Sequence, residues 1–456
     1  MRKIDLTKDP ILPSLAGLAL PIMATSLIQM AYNLIDMLWI GRIGSAAVAA
    51  IGAAGMYMWL SNGLATLAKM GGQVKVAHAL GAKREEEAAE YAQSALQLSL
   101  IFGIGFGLIS VVAATPMISF FKLNSAAVIA DAEIYLQITC GGVVFSFLNQ
   151  VFTGILTAMG NSRVTFVATT IGLVFNIVLD PALIFGLGPL PAMGVVGAAL
   201  ATVFSQVIVT AIFVVIAYKD HVVLRKIHLL KSFHKESMAQ IIRIGFPIGV
   251  QSMFFTAISM IIARMVAGFG DAAVAVQKVG SQIESISWMT AEGFGAAVSA
   301  FMAQNLGAGS KERIIKGYRV AIGLEIVWGI LCTVLLIVFP DYIFKIFITE
   351  KEILPMGVDY LKILGVAQFF MCIELTTAGA FTGLGKTIPP SITSIVLSAV
   401  RIPIASVLVA GGMGLNGIWW SITISCILKG IVMFVWFLHY LKHDFKRYFP
   451  SDVQKL

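Results

Sequence analysis

The chain has 456 residues, of which 58% are hydrophobic and only 12% are charged, a composition that excludes both a water-soluble globular protein and a disordered one. The formal net charge of +8 would suit a nucleic-acid binder, but the Lys and Arg residues lie in alternate loops between apolar runs and form no single patch. The four cysteines sit inside apolar runs without a close-spaced pair, so they read as small buried hydrophobes and not as metal or redox groups.

The start, MRKIDLTKDPILPSLAG, is interrupted by Asp5, Asp9 and two prolines and is not expected to be a signal peptide. Twelve apolar segments follow, at about 13–41, 46–70, 92–120, 132–158, 164–187, 194–217, 240–267, 272–300, 315–340, 357–383, 388–410 and 415–440. Each is long enough to cross a bilayer as a helix, which predicts an all-α integral membrane protein. The loops after odd-numbered segments carry only Arg42, Lys122, Lys345 and Lys351. By the positive-inside rule both termini are then expected in the cytoplasm of a multi-pass protein of the cell membrane.

The first segment closes on QMAYNLIDMLWIGRIG, residues 29–44, which holds Asp36 with Tyr32 one turn before it and Asn33 beside that. An aspartate inside the hydrocarbon region is costly and usually marks function. The fifth segment reads GLVFNIVLDPALIFG and carries Asp180 with Asn176 one turn earlier. Helical spacing puts Tyr32 and Asp36 on one face, and Asn176 and Asp180 on another. If those faces meet, the result is a polar cluster that Thr202, Ser205 or Gln206 of the sixth segment could complete. Hard oxygen ligands suit Na⁺; equally, two carboxylates in a dry site can hold one proton between them. A purely structural alternative is that the aspartates tie helices together through hydrogen bonds.

The second half holds a mixed set: Lys278, Glu284 and Glu292 on the eighth segment, Glu374 on the tenth and Arg401 on the eleventh. Glu284 and Glu374 could face a cationic substrate, or Lys278 or Arg401 could neutralise them. Arg264 and Lys429 are expected to reach water near helix ends.

A shift of 226 residues aligns ALPIMATS with GFPIGVQS, GSAAVAA with GDAAVAV, and AHALGAK with AQNLGAG. Pro21 then meets Pro247, Gly44 meets Gly270 and Gly81 meets Gly307. Later, TAMGNS meets TGLGKT and AMGVVGAAL meets GMGLNGIWW at slightly smaller shifts. The chain therefore reads as two six-helix halves, 1–218 and 240–456, joined by a basic cytoplasmic linker at 219–239. Six is even, so the halves share one orientation and are related by a pseudo-two-fold axis along the membrane normal. The linker is either a surface-lying amphipathic segment or a solvated connection. The repeat breaks where the polar residues lie: Asp36 meets Ile262, and Asn176 and Asp180 fall near Arg401 and Ala405. Both intramembrane aspartates thus belong to the first half. Pro21 and Pro247 sit early in matching helices, where a missing hydrogen bond permits a bend. Pro21 is the candidate hinge.

There is no HExxH, GxSxG or Walker GxxxxGK[ST] motif, so neither an enzyme nor ATP-driven transport is indicated. Together, the YNLIDMLWIGRIG and NIVLDP segments, the paired LGA and GN/GK loops and the duplicated halves resemble the multidrug and toxic compound extrusion (MATE) family over nearly the whole chain. The resemblance implies export of cationic or amphipathic organic compounds in exchange for H⁺ or Na⁺. It implies no cofactor beyond that ion, and small organic substrates and the bilayer as partners. Action as a monomer is expected. In the DinF-like branch, the helix-1 aspartate and the helix-5 Asn/Asp pair form the ion site. These carry over to Asp36, Asn176 and Asp180, with Tyr32 beside them and Thr202 as the helix-6 threonine, the set that would hold Na⁺. NorM-type branches place an acid on helix 7 after two aromatics; here Thr256 follows Phe254 and Phe255, which favours coupling in the first half. Asn33, Lys278, Glu284, Glu374 and Arg401 are the candidate cavity residues. The related lipid-linked oligosaccharide flippases are the alternative, and they would call for a more basic cavity.

Overall fold

A bilayer offers the backbone no hydrogen-bond partners, so apolar runs of this length must close their own bonds as helices. The computed structural model describes residues 5–121, 125–186, 191–219, 223–227, 233–346 and 352–443, with side chains at all but 33, 34, 37, 38, 41, 45, 218 and 271. Among these residues there are twelve long helical segments, a short 3₁₀ turn at Leu224–Lys226 and no strand. In the first half they are α1 (Ile11–Ile43), α2 (Ser45–Gly81), α3 (Glu85–Val112) continued by α4 (Ala114–Ser119), α5 (Ala126–Gly141) continued by α6 (Val143–Ala158), α7 (Ser162–Phe185) and α8 (Gly194–Lys219). In the second half they are α9 (Lys235–Ala267), α10 (Asp271–Gly307), α11 (Lys311–Val338) continued by α12 (Pro340–Lys345), α13 (Leu354–Gly383), α14 (Ile388–Ala399) continued by α15 (Arg401–Leu408), and α16 (Gly414–His443). The α5–α6 segment bends by 43° at Gly142.

Eight described stretches are long and apolar enough to cross a membrane, or nine if the bent α5–α6 pair is one span. Helices α2 and α10 are not among them, being rich in Ala, Gly, Ser and Gln. Helix α2 packs on α3, α5 and α6, and α10 packs on α11 and α13, contacts that favour small residues. At the α10–α13 crossing, a Cβ added to Gly379 would run into the Gly295 carbonyl, and one on Gly383 into that of Ser299. Small residues there let the backbones touch.

The aligned glycines have a conformational cause. Gly44 and Gly270 precede α2 and α10 with φ of 139° and 101°, and Gly160 and Gly385 close α6 and α13 with φ of 74° and 71°. Side chains other than glycine's rarely adopt such values.

The chain packs as two compact units. One holds Ala24–Gly249; the other holds the described residues of Ile4–Met23 and Val250–Leu456. Helices α1 and α9 therefore each belong to both. In each case the change of unit falls two residues after the helix-interior proline, Pro21 or Pro247. The described part of the linker belongs to the first unit: Ser237 donates to the Glu90 carboxylate at the start of α3, and His234 Nδ1 lies 3.4 Å from it. In the second unit, Leu6, Leu15 and Leu18 are fully buried in a core with Phe301, Phe381 and Phe437.

Candidate functional site

In the first unit, α1, α7 and α8 bring together the residues expected from the sequence. Asp180 is 0% and Asn176 1% exposed, and the Asn176 amide donates to Asp180 Oδ1 across one helical turn at 3.3 Å. Helix α7 stays helical through Pro181, which cannot donate back to Ile177. Tyr32 Oη lies 3.4 Å from Thr202 Oγ1. The Thr202 hydroxyl donates to Ala198 O at 3.0 Å, so Tyr32 is the donor of the pair. The Asp36 and Asp180 carboxyls face each other within hydrogen-bonding reach.

This last contact is chemically informative. Ionised carboxylates only accept, so two of them cannot bond without a proton or a cation between them. Asp36 Oδ1, Asp180 Oδ2 and Asn176 Oδ1 are all buried without a donor among the described residues. Three oxygens from two helices are thus left with unfilled acceptor capacity and no described cation paired with them. The donor set fits a proton or a hard monovalent cation equally.

Not every expected neighbour joins. Gln206 is turned to α6, where the Asn149 amide donates to its side chain and backbone oxygens at 2.9 Å each. Ser205 donates to Ala201 O. The Asn33 side chain lies outside the described residues. One member was missed: Tyr135 on α5 is 7% exposed and close enough to interact electrostatically with Asp36, Asp180 and Tyr32. A buried phenol in an apolar run was the available signal.

In the second unit the charged residues sort differently. Glu374 on α13 pairs with Lys429 on α16 at 3.0 Å, both side chains nearly inaccessible. This corrects the expectation that Lys429 reaches water near a helix end; it is 4% exposed. Arg264 is exposed, as expected. Arg401 donates to Ser425 Oγ at 3.0 Å and stands over the Phe255 ring. Glu284 lies among Tyr360 and Gln368 of α13, with Arg401 within electrostatic reach, while Lys278 is exposed. Glu325 on α11, 2% exposed, was missed altogether.

The family model MatE matches residues 21–182 and 247–407, one copy over each half of the repeat. The chain belongs to the MatE family. This MatE protein is a multi-pass membrane transporter of small compounds and not an enzyme. It is 28% identical to a Thermotoga maritima protein named as a probable multidrug resistance protein, NorM, over 93% of this chain and 91% of that one. It is 25% identical to the Staphylococcus aureus multidrug export protein MepA over 93% and 94% of the two chains. A solved structure described as the outward-facing conformation of a multidrug resistance MATE family transporter superposes with a TM-score of 0.90 at 23% identity, covering 97% of this chain and 98% of that one. The twelve-helix, two-bundle architecture is the fold they share.

Proposed function

We propose that this MatE protein exports organic, often cationic or amphipathic, compounds from the cytoplasm in exchange for H⁺ or Na⁺. Asp36 and Asp180 act as its coupling carboxyls. The observation that carries the reading is the facing Asp36–Asp180 pair with its unfilled acceptors, which is stable only when a proton or cation neutralises it. Asn176 and Thr202 would complete a Na⁺ shell, and Tyr32 would fix Thr202. Loading the site removes the repulsion between α1 and α7. Emptying it restores that repulsion, and this gives the ion a lever on α1. The names of the relatives, as multidrug resistance and export proteins, support the substrate class. The protein would sit in the cell membrane with both termini cytoplasmic and work as a monomer.

The buried basic groups argue against a carrier of phosphate-bearing lipids: Lys429 is paired with Glu374, and Arg401 stands within electrostatic reach of Glu284. The test is efflux of a fluorescent organic cation from vesicles of purified protein, with a pH gradient and a Na⁺ gradient imposed separately. One gradient should drive the wild type and neither should drive Asp36→Asn. Equal transport by the variant would show that Asp36 is structural.

A further inference from the structure

The second unit contains a carboxyl that the coupling scheme above does not use. Glu325 lies midway along α11 and is buried to 2% exposure. Its Oε2 has no hydrogen-bond partner among the described residues. The groups that reach it are two thiols, Cys332 on α11 and Cys372 on α13, with Ser287 of α10 beside both thiols. Of the other acids on the packed helices, Glu374 pairs with Lys429, Glu284 lies among Tyr360 and Gln368, and Glu292 is exposed, as is the α10 cation Lys278. The site is tight, because on α11 one turn beyond Glu325 a Cβ at Gly329 would lie 3.0 Å from the Phe369 Cα of α13.

The internal repeat gives a control for what packing alone requires. At the matching positions of the first unit stand Ser99 and Ser61. Both are buried and both are satisfied: Ser99 donates to Leu96 O at 2.9 Å, and Ser61 to Met58 O at 2.7 Å. In the second unit the Ser287 hydroxyl and Glu325 Oε2 both lack a hydrogen-bond partner among the described residues. In the first unit, then, the matching positions hold serines that are satisfied within their own helices. A carboxyl in the second unit is an addition with a desolvation cost.

We propose that Glu325 is a second proton-carrying carboxyl of this transporter, loaded when the α10–α11–α13 seam is closed and released when it opens to water. With thiols beside it and no cation paired with it among the described residues, the closed seam accepts the neutral acid: Oε2 binds a proton taken from water, and that proton returns to water on opening. Nothing in this step involves Asp36 or Asp180, so the two carboxyl systems can be tested apart.

The experiment is an infrared pH titration of purified protein in lipid nanodiscs, from about pH 5 to about pH 10, following the carboxylic-acid C=O band. Wild type, Glu325→Gln, Glu325→Ser and the double variant Asp36→Asn/Asp180→Asn are compared. Glu325→Ser copies the sister repeat and is expected to fold. The wild type should show a component that fades as pH rises. That component should be absent from both Glu325 variants and present in the double aspartate variant. Should neither Glu325 variant fold, wild type with carbon-13 in its glutamates alone carries the test: a titrating glutamate component supports the proposal and its absence overturns it. A component that persists in the Glu325 variants, or that never titrates in the wild type, also overturns it, the second outcome marking a permanently neutral structural acid.

Discussion

Glu374 and Lys429 form an ion pair 3.0 Å across, with side-chain exposures of 7% and 6%. Helix α13 carries the acid and α16 the base, so the pair fastens the two helices inside the second unit. Two charges withdrawn from solvent gain little over an apolar replacement, but removing one strands the other.

Single substitutions Glu374→Gln and Lys429→Met should therefore each destabilise the protein by about 3–5 kcal/mol, the cost of an uncompensated buried charge or its forced neutralisation. The double variant should recover most of that loss. Thermal unfolding of the purified proteins in one detergent measures both. If the three variants unfold alike, the two residues do not act as a pair.

At the proposed coupling site the hydrogen-bond lengths rank the expected effects. Asp180→Asn replaces one of two facing carboxyls and should abolish ion-driven efflux while leaving substrate binding measurable. Tyr32→Phe removes only a 3.4 Å bond to Thr202, long for O–H···O, and should cost no more than about 1 kcal/mol. Initial efflux rates under the driving gradient, set beside equilibrium binding of the same cation, separate the two. A Tyr32→Phe defect as deep as that of Asp180→Asn would mean that the phenol handles the ion itself.

The N-terminal segment offers a prediction with a defined pH dependence. Arg313 on α11 donates to Leu6 O at 2.9 Å, to Asp9 O at 2.6 Å and to Asn305 Oδ1 at 3.0 Å, and the Asn305 amide donates to Leu6 O. Arg313→Ala should lose about 1.5–3 kcal/mol of docking and raise amide exchange over residues 5–9. Within that turn the Thr7 hydroxyl and amide hold the Asp5 carboxyl below its usual range. A depressed folded-state value gives stability that is present above the unfolded value of about 3.9 and lost as pH falls through the folded one. The docking should therefore be flat across neutral pH and loosen only in acid. Exchange that rises between about pH 6 and 8 would point to a different group.

Periodicity and composition made the twelve segments, the duplication and the two intramembrane aspartates legible, because a bilayer leaves apolar helices as the only option and makes any acid within them conspicuous; that Asp36 and Asp180 share one site was implied only by the family resemblance. Three things were not legible. Lys429 looked like a residue near a helix end, since its partner Glu374 is 55 residues earlier and only packing brings them together. Glu325 was lost in GLEIVWG, where a single acid with no polar residue one turn away gives no pattern. The sharing of α1 and α9 between units does not follow from the repeat, which marks where copies begin and not where helices pack. The matched prolines carried that information only in combination with the unit boundaries.

Those prolines yield the remaining prediction. Pro21 lacks an N–H, so the carbonyl of Gly17 has no helical partner, and α1 is weakest just before the chain leaves one unit for the other at Met23 and Ala24. Helix α9 repeats the arrangement with Pro247 and Gly249. The first part of α1 is held by the Leu15 and Leu18 core contacts, and the second part carries Asp36. A bend at Pro21 would let the Asp36 end respond to its ion while the other end stays docked. Pro21→Ala restores one backbone bond and should raise thermal stability or leave it unchanged. Ion-driven efflux should fall by on the order of tenfold, a barrier rise of ~1.4 kcal/mol. Ion binding, read by protection of Asp36 from carbodiimide modification, should persist. Efflux at the wild-type rate in Pro21→Ala would remove the bend from the mechanism, whereas loss of both efflux and protection would show that the proline shapes the site and not its motion.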